Sequence, residues 1–219
     1  MLPVPYVFDY ATTHIEGWTV RYERALENRH AEEWRAAKEE LGNHLYRIRR
    51  TVASTPLKRL REVTVWVHWN DPGTTCMAFH PAPEWLREHH MNPDMTGSIE
   101  IGNVRNFLLW THEQPWMVLH ELAHAYHFRV LEKGFDNADV KGVFDGAILS
   151  KRYEHVLHWD GKSLRHYAAT NPMEFFAEAT EAYFGQNDFF PFVNSELKTA
   201  EPDTYALMVR VWGLPARRG

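Results

Sequence analysis

The chain has 219 residues, 44% hydrophobic and 24% charged, which suits one globular domain and excludes global disorder. Its 24 basic and 29 acidic side chains give a formal charge of −5, so a nucleic-acid partner is not expected. A single cysteine, Cys76, excludes an intrachain disulfide and any cysteine-built zinc site, while 14 His and 9 Trp promise metal or acid–base chemistry and a sizeable core.

In chain order, residues 1–19 read as an irregular arm with two prolines. Its start has neither the basic nor the apolar segment of a signal peptide, which leaves the compartment open. Residues 18–22 suit a short strand. Residues 29–52 form a helical pattern, with Trp34, Leu41, Leu45 and Ile48 on one face and Pro56 beyond its end. Val63, Val65 and Val67 alternate with Thr64, Trp66 and His68 as in a strand. Residues 76–79 suit a second strand, 83–90 a short helix, 98–103 a third strand and 104–110 a further helix. Pro115 is suited to open a helix that runs to about Glu132, with Gly134 as its stop. Residues 134–170 have no clear pattern. Asn171 and Pro172 open a helix ending near Gly185, and Pro191 and Pro202 precede two more. No apolar run approaches the ~20 residues of a membrane span. The order predicts an α+β domain over 1–219: an arm and long helix (1–60), a sheet region (61–112) and a helical region (113–219).

The helix after Pro115 contains His120-Glu121-Leu122-Ala123-His124. Histidines four apart lie one turn above each other and can converge on one zinc ion. Glu121, about 100° around the helix, then stands beside the ion's open position, where a carboxylate takes the proton of an acidified water. A shuffled chain of this composition would contain the motif about 8% of the time, so its setting matters. The helix is apolar nearly all round, and two histidines and a glutamate in a buried helix need partners or a cation. Two hydrogen-bonded core histidines are the plainer reading. His127 is ~10 Å along the axis from His120, so it reads as a neighbour of the ligands or a packed histidine.

Catalytic zinc needs a third protein ligand. The continuation H-x-x-G-x-x-H fails here, because His127 and Val130 occupy its last positions. Glu174 and Glu178, four apart among Phe175, Phe176, Ala177 and Ala179, supply a carboxylate face that calls for a cation. The expected division is Glu174 on zinc and Glu178 accepting the free ring N–H of a ligand histidine. Two plainer readings stand beside it. Asn171-x-x-Glu174 has capping-box spacing, and Glu178 and Glu181 could line a solvated face.

H-E-L-A-H followed by Tyr167-Ala168-Ala169-Thr170-Asn171-Pro172-Met173-Glu174-Phe175-Phe176-Ala177-Glu178-Ala179 resembles the catalytic domain of the anthrax-toxin lethal-factor family, zinc metallopeptidases of gluzincin type. The resemblance covers roughly residues 115–185. It implies a zincin-like fold: a small mixed sheet packed on a central H-E-x-x-H helix, with a long N-terminal helix and a helical C-terminal part. It implies His120, His124 and Glu174 as zinc ligands, Glu121 as general base and Glu178 as partner to a ligand. It also implies Tyr167 as donor to the developing oxyanion, a role for which Tyr153, His155, His158 and His166 are weaker candidates. The toxin's extra domains have no counterpart in this length, so its substrate does not carry over.

In such an architecture the strand 98–102 is expected at the cleft's edge, pairing with an extended substrate; an interior strand is the other reading. Cys76 reads as a small buried hydrophobe, or as a zinc ligand in a latent form. Asp136, Asp139 and Asp145 read as loop residues. The sequence thus predicts a zinc metallopeptidase, endopeptidase before exopeptidase, acting on peptide or protein. A non-catalytic module on the same scaffold and a zinc hydrolase of a non-peptide bond are the alternatives.

Overall fold

Residues 9–215 are described by the computed structural model. They begin with a hairpin of β1 (Tyr10–Ile15) and β2 (Trp18–Glu23). Its two turn residues, Glu16 at φ 50° and Gly17 at φ 94°, lie in the left-handed region that a tight hairpin requires. The expected irregular arm is therefore a strand from Tyr10 onward, while its two prolines lie outside the described residues. β1 is polar and half exposed, so β2 rather than its own pattern holds it.

Next come α1 (Ala25–Arg29), α2 (Ala31–Thr51) and α3 (Ser54–Leu60). Trp34, Ala37, Leu41, Leu45 and Ile48 bury one face of α2 in the core, as the sequence spacing predicts. Pro56 lies beyond the end of α2, as expected, near the start of α3. Strands β3 (Val65–Val67), β4 (Met77–Phe79) and β5 (Ile99–Ile101) complete a five-stranded mixed sheet, in the order β1-β2-β3-β5-β4. β3 is parallel to both β2 and β5, and β4 is antiparallel to β5. The strand expected at the cleft's edge, β5, is thus interior, and the rim is β4. The chain leaves β3, makes β4 and α4 (Pro83–Glu88), and returns to fill the gap between them. A return from 30 residues away leaves no local mark in a sequence.

Helices follow: α5 (Val104–Trp110), α6 (Met117–Val130) and α7 (Ala138–Leu149). A small hairpin, β6 (Val156–Leu157) and β7 (Ser163–Leu164), precedes α8 (Pro172–Phe184), α9 (Asn194–Ala200) and α10 (Pro202–Trp212). The principal core joins Val65, Val67, Ile99 and Ile101 of the sheet to Leu119, Leu122 and Ala123 of α6 and Phe175 and Phe176 of α8. On the sheet's other face a smaller cluster gathers Trp66, Leu86, Met91 and Met95. Both faces of β3 and β5 are therefore covered. No helix among the described residues is long and apolar enough to cross a membrane.

α6 packs along α8, and β4 packs on α6. α6 starts two residues later than Pro115 suggests, and ends where Leu131 turns extended. At the end of α8, a Cβ built on Gly185 would overlap the indole of Trp116, the residue just before α6. Gly185→Ala is expected to cost about 1–3 kcal/mol by forcing that ring aside. A thermal melt with Tm unchanged would contradict this close approach.

Candidate metal centre

The two helices bring three side chains together. His120 and His124 stand one turn apart on α6, with ring centroids 4.7 Å apart. Glu174 Oε2, from the first turn of α8, lies 3.0 Å from His120 Nε2 and 3.3 Å from His124 Nε2. A tetrahedral ion with bonds of ~2.0 Å has ligand–ligand edges of about 3.3 Å, so these separations suit one zinc-sized ion. The three ligand atoms all lie within 4.8 Å of one another.

A full capping box would turn the Glu174 carboxylate back to the Asn171 N–H, in competition with ligation. Asn171 Oδ1 accepts from the backbone N–H of Met173 and of Glu174, both at 2.9 Å, and so starts α8. The Glu174 carboxylate turns instead to the histidines. Burial pushes its pKa up, but hydrogen bonds with His120 and His124 outweigh that and hold it well below the ordinary range. Burial pushes His120 down, while hydrogen bonds to Glu174 and Glu181 raise it well above its usual value.

Behind His120 stand two carboxylates, the expected Glu178 and, one turn on, Glu181. Glu181 Oε1 lies 2.7 Å from His120 Nδ1, and Glu178 Oε1 lies 3.5 Å from it. Glu178 and Glu181 are both buried, which removes the solvated-face reading. The sequence reading does not single out Glu181 for its contact with His120. Its signal was present: 174, 178 and 181 follow the i, i+4, i+7 rule of one helix face. Glu178 Oε2 is buried with no hydrogen-bond partner among the described residues. Burial, with repulsion from Glu181 and Asp188, drives the Glu178 carboxyl far up; burial also raises Glu181 and Asp188. So many buried carboxyls beside two histidines make a strong local demand for positive charge.

An open cleft of about 450 Å³ borders the cluster, with His120, Glu121, Tyr167, His158 and Arg165 among the residues lining it. Tyr167 sits in a single 3₁₀ turn before α8, about half exposed, with its ring 6.5 Å from that of His120. His166 Nδ1 accepts from the Ala168 N–H and so shapes that turn from a buried position. Tyr153 is turned away and donates to Glu201 at 2.6 Å. Of the four weaker candidates for the oxyanion role, His158 lines the cleft and the other three do not. His127 is fully buried against Phe135 and Phe176, with no hydrogen-bond partner for either ring nitrogen among the described residues. Burial, with His124 nearby, lowers its pKa to about 4, so it is a neutral packed ring. Cys76 is buried at the cleft wall, where burial and the charge of Glu121 push its thiol up to about 12.

No family model matches the chain, and no curated protein matches it. Among solved structures, a Pro-Pro endopeptidase (PPEP-2) from Paenibacillus alvei is similar at a TM-score of 0.41 and 21% identity. The match covers 83% of this chain and 90% of that one.

Proposed function

We propose that this chain is a zincin-like, zinc-dependent endopeptidase that hydrolyses peptide bonds in the cleft along α6. One observation carries the reading: His120, His124 and Glu174 converge with separations suited to one ion, beside Glu121 in an open cleft. We read 1–219 as one catalytic unit, because one core runs through its sheet and helical regions.

His120, His124 and Glu174 would hold the ion, and Glu181 would orient His120 through Nδ1, with Glu178 alongside. Zinc bound there supplies Lewis acidity toward the scissile carbonyl and a water acidified toward pKa ~7. Glu121, on the cleft wall, would take the proton of the attacking water and hand it to the leaving amine. Tyr167 donates its phenol hydrogen to the carbonyl oxygen as negative charge develops. Burial and the charge of Glu174 raise the pKa of Tyr167, which keeps that hydrogen in place.

The substrate backbone pairs with β4. Cys76 O and His80 N bond inward to β5, at 2.8 and 3.1 Å, so the main-chain groups of Met77 and Phe79 face outward by the alternation of an antiparallel ladder. This rim takes the place first expected of β5 and suits an extended backbone passing through the cleft.

Zinc-loaded protein is expected to cleave members of a broad peptide library, to lose that activity on chelation and to regain it with zinc. A fully zinc-loaded chain without turnover would favour a non-catalytic module; turnover confined to esters or other bonds would favour the non-peptide hydrolase. Tyr167→Phe is expected to lower kcat by roughly 10²–10³ with KM little changed. A KM effect alone would move Tyr167 from transition-state donor to substrate contact.

A further inference from the structure

β4 walls the cleft, yet it has only three residues and pairs with β5 alone. So short a rim gains little from ladder bonds. Its two flanks converge instead on one carboxylate behind the sheet. Thr74 Oγ1, ahead of β4, donates to Glu100 Oε2 at 2.7 Å. His80 Nε2, just after Phe79, lies 2.7 Å from the same oxygen. His68 Nδ1 lies 2.6 Å from Glu100 Oε1, and Tyr10 OH lies 2.5 Å from His68 Nε2. Glu100 sits in the middle of β5 with no exposed surface, and His68, His80 and Thr74 are buried as well. Burial pushes the Glu100 carboxyl up, but hydrogen bonds from His68 and His80 outweigh it and hold it at about 2, so the acceptor is ionised. The close approach has a backbone cause too: a Cβ at Gly102 would overlap Thr74.

His68, Asp71 and Glu100 are near enough to one another to hold a cation. His68 Nδ1 faces Glu100 Oε1, and Glu100 Oε2 takes Thr74 and His80, so the carboxylate that could join an ion here already ties the flanks of β4.

We propose that Glu100 is a positioning residue for the cleft: from the sheet's far face its carboxylate clamps both flanks of β4 and fixes the rim on which an extended peptide pairs. The clamp stands on geometry alone. Its effect on substrate rests on the peptidase reading.

Cys76 provides a readout that needs no catalysis. It is the chain's single cysteine, two residues from Thr74, and is buried. Iodoacetamide labelling of the folded wild type should therefore be slow. Thr74→Val removes one donor and keeps Glu100 and both histidines. It should speed Cys76 labelling about 10-fold or more, and Thr74→Ser, which keeps the hydroxyl, should restore the slow rate. Glu100→Gln should show a larger increase; if it fails to fold, the Thr74 pair still decides. In the same variants KM for an extended peptide should rise several-fold while kcat stays near wild type. Labelling of Thr74→Val at the wild-type rate overturns the clamp. Faster labelling with KM unchanged, in a protein that cleaves peptides, overturns the positioning of substrate by the clamp. If the wild type cleaves nothing, the peptidase reading fails and labelling alone decides the clamp.

Discussion

Glu121→Gln is expected to lower peptide cleavage by about 10²–10⁴-fold while the protein keeps its zinc. Glutamine preserves the shape and polarity of the side chain but cannot take a proton. Glu121 lines the cleft and lies outside the group His120, His124 and Glu174, so its change should leave the ligands in place. The loss should therefore fall on kcat, with zinc stoichiometry and Tm near wild type. Turnover at a tenth of wild type or more would remove Glu121 as the base. Loss of metal together with activity would recast it as part of the binding site.

Stripping the ion is expected to lower Tm by about 8–16 °C. The buried carboxyls of Glu178, Glu181 and Asp188 are all raised by burial, and Glu178 is further raised by its acidic neighbours. Such a group is costly to enclose without a cation close by. A ligand present at 1,000 times its Kd stabilises the folded state by about 4.1 kcal/mol. At roughly 2–4 °C per kcal/mol for a chain of this size, that gives the stated range. A melt before and after chelation, followed by zinc addition, measures it. A curve unmoved by chelator would mean that hydrogen bonds alone satisfy this cluster.

The two central helices were legible because their signals are local. Asn171 and Pro172 mark the start of α8 by chemistry that acts within three residues, and the structure uses Asn171 as the cap. The spacing of His120 and His124 needs only the helix repeat to be read. α2 also announces itself, through the apolar spacing of Trp34, Leu41, Leu45 and Ile48. The misses depend on distant partners or weak patterns. β1 is polar, and pairing with β2 makes it a strand. α7 carries Gly142 and Gly146, which weaken its helical signal, and few of its residues are buried. The order of β4 and β5 is set by a return of the chain that no window contains. The i+4 relation to Glu174 points to Glu178, while the i+7 relation that includes Glu181 is a weaker local signal. Only the packing of α8 against α6 brings Glu181 closest to Nδ1 of His120.

Metal content of the wild-type chain against Glu174→Ala, both purified and dialysed alike, tests the shared ion most directly. About one zinc per wild-type chain is expected, and close to none in the variant, because two histidines alone make a poor site. Equal stoichiometry and equal affinity in both proteins would contradict it, leaving the residue at 174 as no more than a capped position at the start of α8.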